Sequence, residues 1–147
     1  MDVLVGNESF INKINTFLMQ SENVEDVYIH GFLSKDLVGA IKEYTNIKPN
    51  ELSVKILIPK LSLFKKELEM IKREFDNVNY NIKINNNSLS QFIVFNNAFV
   101  ILSGKTGENE SVIKNKVAFM HSDDLGTSSV LKDLFYEDWK TGYSVYL

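Results

Sequence analysis

The chain has no cysteine. Disulfides, thiolate zinc sites and a cysteine nucleophile are excluded together. The absence fits a reducing compartment, and the expected location is cytoplasmic. Proline is scarce, at 2 of 147 residues, so no proline-rich linker divides the chain. Arginine is nearly missing: Arg73 stands alone among abundant lysines, which points to an AT-rich coding sequence rather than to chemistry. No apolar run approaches the roughly 20 residues of a membrane span. The opening "MDVLVGNESF" starts acidic and soon turns polar, unlike a secretory signal. With a net charge of −3 and a pI of about 5.4, no overall basic field draws the chain to nucleic acid or an anionic membrane.

What is present suits a globular fold. Hydrophobic residues make up 44% and aromatics 12%, whereas disorder needs low hydrophobicity with high net charge. No internal repeat or charge block divides the sequence, so residues 1–147 read as a single domain.

Periodicity supplies the elements. Phe10, Ile11, Ile14, Phe17 and Leu18 share a helical face, with Asn7 as its expected N-cap after the short apolar run Val3 to Val5. "DVYIHGFLS" predicts a buried strand ending at Gly31, and Ser34 can cap a helix with Leu37, Val38 and Ile41 inward. "LSVKILIP" predicts a strand closed by Pro59. A helix follows with Leu61, Phe64, Leu68, Ile71 and Phe75 at spacings of 3 and 4. "VNYNIKIN" alternates as a strand does, with Val78, Tyr80, Ile82 and Ile84 on one face. "SLSQFIVFNNAFVILSG" reads as two strands around a tight turn at Asn96-Asn97, and "NKVAFMHS" as a last strand. The final helix aligns Leu131, Leu134, Phe135 and Trp139, and Gly142 can end it. The order α-β-α-β-α-β-β-β-β-α predicts an α/β fold: a mixed β-sheet flanked by helices. Its early strands are parallel, joined by right-handed crossovers, and its later strands antiparallel.

Four groups of residues invite a chemical reading. Gly104-Lys105-Thr106 suggests a phosphate loop, but the position five before Gly104 is Phe99, inside a strand, and no convincing helix follows. His30 and His121 both end strands, where sites in α/β proteins gather. Neither has a carboxylate at motif spacing, so a structural or surface role is the expectation for each, with no metal cluster. Asp123 and Asp124 precede the last helix, where capping and favourable charge explain them better than ion binding. Trp139, at helical spacing from Leu131 and Phe135, reads as core.

The order strand, helix, "VKILIP", helix, strand, then "QFIVFNNAFVILSG" resembles one half of a phospholipase D-like domain. Active members carry H-x-K-x-x-x-x-D there, followed by a Gly-Ser element on the next strand. That frame falls on Leu89, Gln91 and Asn96, and the small pair on Ser103 and Gly104 in reversed order. The nucleophilic His, the phosphate-binding Lys and the Asp are all replaced, so phosphodiesterase chemistry of that type is not expected. "VLVGNESFINKINTFL", "DVYIHG" and "LKDLFYEDWKTG" further resemble the effector-binding domain of archaeal TrmB-like transcriptional regulators. The resemblance implies a catalytically silent module of transcription regulation that senses a small molecule, a sugar or an anion, and forms a homodimer because two half-sites pack together. It implies no cofactor, no membrane contact and no direct nucleic-acid binding by this chain alone, since only Met1 and Asp2 precede the region where that family carries a winged helix ahead. The implied ligand site gathers His30, Gln91, Asn96, Ser103 and Lys105. Two other readings stay open: an enzyme in which His30 and His121 meet across a dimer and act on a phosphate ester, and a pure protein–protein interaction domain.

Overall fold

The computed structural model describes residues 2–21, 24–48, 52–87, 90–103, 117–122 and 124–147. In chain order its elements are β1 (Asp2–Val5), α1 (Gly6–Gln20), β2 (Asp26–His30), α2 (Lys35–Ile47), β3 (Ser53–Ile58), a 3-10 turn (Leu61–Leu63), α3 (Lys65–Glu74), β4 (Asn79–Ile84), β5 (Phe92–Phe95), β6 (Ala98–Leu102), β7 (Val117–His121), α4 (Leu125–Trp139) and β8 (Tyr143–Val145). The described strands form one eight-stranded sheet in the order β1-β7-β6-β5-β2-β3-β4-β8. Helices α2 and α3 carry the chain between neighbouring parallel strands β2, β3 and β4. The remaining pairs are antiparallel, and β2 against β5 is the seam between the two halves.

Strand alternation divides the side chains between two cores. Val27 and Ile29 of β2, Val54 and Ile56 of β3, and Ile93 and Phe95 of β5 meet Phe10, Ile14 and Leu18 of α1, Leu37, Val38 and Ile41 of α2, and Leu68 and Ile71 of α3. The opposite face is smaller. There Tyr28, Leu57, Phe92, Val94 and Phe99 pack under Leu131 and Phe135 of α4, with Trp139 at the edge. Tyr44 closes the first core by accepting the Val24 N–H at 3.0 Å. Lys48 holds the end of α1, donating to the carbonyls of Met19 at 2.9 Å and Leu18 at 3.5 Å and to that of Ser21. A lysine satisfies the orphan carbonyls of a helix C-terminus in this way.

Several expectations change. Asn7 does not cap α1: Gly6, at φ 82°, turns the chain out of β1, Val5 holds the cap position, and Asn7 instead donates to Asp36 Oδ2 at 2.5 Å. The apolar run at the start is itself an edge strand, β1. The third helix begins at Lys65, and Leu61 lies in the exposed 3-10 turn before it. Leu134 is 52% exposed, because only the line Leu131, Phe135, Trp139 meets the sheet. Gly142 does more than end a helix. A Cβ there would sit 3.0 Å from the Ile84 carbonyl and 3.3 Å from Lys83 Cβ, so glycine is what lets β8 close on β4. Ser34 does cap α2, accepting the Leu37 N–H at 3.4 Å.

Asp124 caps α4, as the capping reading expects; Asp123 lies outside the described residues. The Asp124 carboxylate accepts the Thr127 N–H at 2.9 Å and the Thr127 hydroxyl at 3.0 Å, while the Asp124 N–H donates to the Asn97 carbonyl at 3.0 Å. The Thr127 backbone bond, then the hydroxyl, hold the Asp124 carboxyl below its ordinary range. A depressed carboxyl contributes stability above its unfolded value and loses it as pH falls through the folded one. Asp124→Asn keeps a good cap without the titration. In thermal melts between about pH 7 and about pH 3, the parent should lose stability relative to this variant as pH falls. Parallel curves would refute the assignment.

Candidate functional site

The alternation of β2 puts His30 in phase with Tyr28, on the α4 face of the sheet. Gly31 follows at φ 85°, a conformation L side chains rarely adopt, and donates its N–H to Leu57 at 2.7 Å. The chain therefore leaves the sheet immediately after His30, and the imidazole stays at a strand end, 2% exposed. Phe92 stacks on it at 4.4 Å between centroids, and Phe135 approaches edge-on at 6.1 Å.

Both ring nitrogens are engaged. Nδ1 lies 2.6 Å from the Ser90 carbonyl, and Nε2 lies 2.8 Å from Asp138 Oδ2. A carbonyl oxygen only accepts, so Nδ1 carries a hydrogen. The contact with Asp138 needs a proton as well, on the imidazole or on the carboxyl. Asp138 comes from the last turn of α4, which is anchored from β4: Asn85 Nδ2 donates to the Asp138 carbonyl at 2.7 Å and to Thr141 Oγ1 at 2.9 Å, and Lys83 Nζ donates to the Trp139 carbonyl at 3.1 Å.

Beside this pair opens a cavity of about 340 Å³. Its polar lining is His30, Asn87, Ser90, Gln91 and Asp138, and its apolar wall includes Phe92, Ile101 and Leu134. Phe92 forms a wall without filling the space. Such a volume accommodates a small molecule, with few polar groups to orient it.

The expected site is gathered only in part. His30 and Gln91 line one cavity. Ser103 is exposed just beyond Leu102, at the same end of the sheet, and is not among the lining residues. Asn96 does not belong to the site. It lies five residues along the chain from Gln91, about 16 Å in an extended strand. There it takes φ 52° in the β5–β6 turn, and its Oδ1 accepts the N–H groups of Glu25 at 3.2 Å and Asp26 at 3.4 Å. Lys105, Gly104 and Leu89 lie outside the described residues. His121 is also remote: it pairs across from Phe99, near the hairpin turn, and stacks on that ring at 6.0 Å. Trp139 stacks on Phe135 at 5.4 Å, half-buried at the edge of the α4 core. Sequence reasoning missed Asp138, Asn85 and Asn87. The 108 residues between His30 and Asp138 leave no spacing signal that could have joined them. Among the described residues no group of three or more His, Asp or Glu side chains could hold a metal ion, and no helix is long and apolar enough to cross a membrane.

No family model matches the sequence, and no curated protein sequence matches it either. Solved structures do resemble the fold. Nuc from Salmonella typhimurium, a phospholipase D family member, superposes with a TM-score of 0.69 at 12% identity over 99% of both chains. NucT from Helicobacter pylori gives a TM-score of 0.66 at 14% identity over 98% of both chains. TrmBL2, an archaeal chromatin protein with a novel mode of DNA binding, gives 0.65 at 12% identity; the match covers 98% of this chain and 52% of that one. The fold therefore occurs both in phospholipase D-type proteins and in a TrmB-like protein, and identities this low carry the fold alone. Among the described residues, a mixed eight-stranded sheet with three helices on one face and one on the other gives this chain the phospholipase D-like fold.

Proposed function

We propose that the chain is a non-enzymatic regulatory module whose single domain, residues 1–147, senses a small hydroxylated ligand such as a sugar in the His30 cavity and works as a homodimer. The state of His30 carries this reading. A catalytic histidine needs one nitrogen held by its partner and the other turned to the substrate. Here Ser90 and Asp138 take one nitrogen each, and two aromatic rings cover the imidazole. The signature positions Gln91 and Asn96 supply neither the cation nor the carboxylate of phosphodiester chemistry. Gln91 lines the cavity with an amide, a group whose chemistry suits hydroxyls.

The homodimer is supported by an exposed apolar strip beside the cavity mouth. Phe119 faces Val3 across one ladder and Ile101 across the other, and all three are more than a third exposed. Ile101 and Leu134 both line the cavity, so the strip continues onto α4, where Val130 is 58% exposed. Contiguous apolar surface of this kind marks association.

An enzyme reading draws on one observation, the His30–Asp138 contact at 2.8 Å beside a cavity. Phosphodiester substrates offered to the purified chain should show no turnover. Hydrolysis that His30→Ala abolishes would replace the sensor by an enzyme.

A thermal-shift screen against sugars and sugar phosphates tests the sensing role. A ligand at about 100 times its dissociation constant adds roughly 2.7 kcal/mol. At this chain length, that raises the melting temperature by roughly 2–4 °C per kcal/mol. The shift should vanish in Gln91→Ala. A flat screen would leave an interaction domain instead. Sedimentation should give a dimer for the parent chain and a monomer for Ile101→Asp; a parent that sediments as a monomer would remove the homodimer.

A further inference from the structure

On the opposite side of α4 from the His30 cavity, the geometry points to a second site, a groove that binds a nucleotide through its phosphates. It is about 500 Å³ in volume and is bordered by β3, β4, β8 and the end of α4. Lys55, Asn81, Lys83 and Ser144 give it a polar lining, and Trp139 and Tyr146 give it an aromatic one.

Two lysines in this groove are held by rings rather than by carboxylates. Lys83 Nζ stands 4.8 Å from the Trp139 ring centroid, and Lys55 Nζ stands 5.7 Å from that of Tyr28. Lys132 of α4 approaches the same Tyr28 ring at 5.8 Å. Among the described residues none of the three lysines forms an ion pair. Asp26 shares their face of the sheet and makes no ion pair with them. Tyr28 brings no negative charge either. Burial pushes its phenol above the ordinary range, and the hydroxyl–hydroxyl hydrogen bond it shares with Tyr136 at 3.2 Å adds to the effect.

Cation–π contact orients an ammonium group without neutralising it. The hydrogen-bond inventory agrees. Each ammonium has three donors. Lys83 gives one to the Trp139 carbonyl at 3.1 Å and Lys55 one to Ser53 Oγ at 3.4 Å, so donors remain on both. In a chain of net charge −3, this groove sets two ammonium groups that form no ion pair among the described residues beside amide and hydroxyl groups. Phosphate oxygens match that set of donors. A planar body is matched by Tyr146, 92% exposed on the groove's rim, whose ring is open to stacking. Phosphates and a flat ring together describe a nucleotide, and the volume lies within the range of small-molecule sites.

The probes are ADP and inorganic pyrophosphate, followed by isothermal titration calorimetry on the full chain at low ionic strength. Both should bind, ADP more tightly, and added salt should weaken both. Lys55→Gln and Lys83→Gln should each reduce affinity about tenfold, as expected for the loss of one charge-assisted contact. Tyr146→Ala should bring ADP down to the affinity of pyrophosphate, and Gln91→Ala, a change in the other cavity, should leave the affinities for these two probes unaltered. Lys83 also ties down α4, so Lys55→Gln, which gives up a bond to the Ser53 hydroxyl and the contact with the Tyr28 ring but no hydrogen bond to α4, keeps the test independent of folding. Absence of binding by either probe overturns the proposal. So does binding that survives both lysine substitutions, or binding that Gln91→Ala abolishes, which would move the ligand to the His30 cavity and leave the sensing role intact.

Discussion

Strand β2 is covered on both faces, and the placement of each functional side chain depends on that. Val27 and Ile29 enter the large core under α1 to α3, while Tyr28 and His30 point to the thin layer under α4. A slip of one residue in its pairing with β3 or β5 would exchange these sets, placing an imidazole in an aliphatic core and aliphatic chains against Asp138. The apolar residues of the large core therefore fix the register, and the register fixes the chemistry. Among the described residues α4 is the helix that packs on the smaller layer, and a cavity borders it on each flank. The His30 cavity lies on one flank and the lysine groove on the other.

Much of the fold was legible in the sequence because its signals are local. Helical spacing marked α1 and α2, and the crossover pattern implied the parallel β2–β3 pair. Asn96-Asn97 announced the hairpin, since asparagine tolerates the left-handed conformation that such a turn requires. The edges were harder to read. β1 and β8 have 4 and 3 residues, too few for alternation to register, and their strand character comes from the neighbour that each joins. Leu134 misled for a related reason: an i, i+3 relation to Leu131 names a helical face, but α4 meets the middle of the sheet along only a narrow line of its surface.

The expected residues come together in part. His30 and Gln91 line one cavity at a strand end, where α/β folds gather ligand-contacting groups. Asn96 was misassigned because a linear motif takes no account of extension; five residues of strand carry a side chain right across the sheet. Asp138 and Asn85 were invisible because no local pattern relates the last turn of one helix to the end of a strand more than 50 residues earlier. What binds them is hydrogen bonding of the helix end: Asn85 satisfies an orphan carbonyl of α4 and in doing so fixes the residue whose carboxylate meets His30.

The wide sequence separation of the His30 contacts has a kinetic consequence. Ser90 lies 60 residues from His30 and Asp138 lies 108 away, so the cluster exists only after two long loops have closed. Long-range closure carries its entropy cost before any contact rewards it. The β2–β3–β4 half, whose strands are linked by short helical crossovers, can assemble beforehand. The cavity exists only where both halves of the sheet and α4 are in place, so its occupancy reports on the assembly of all three.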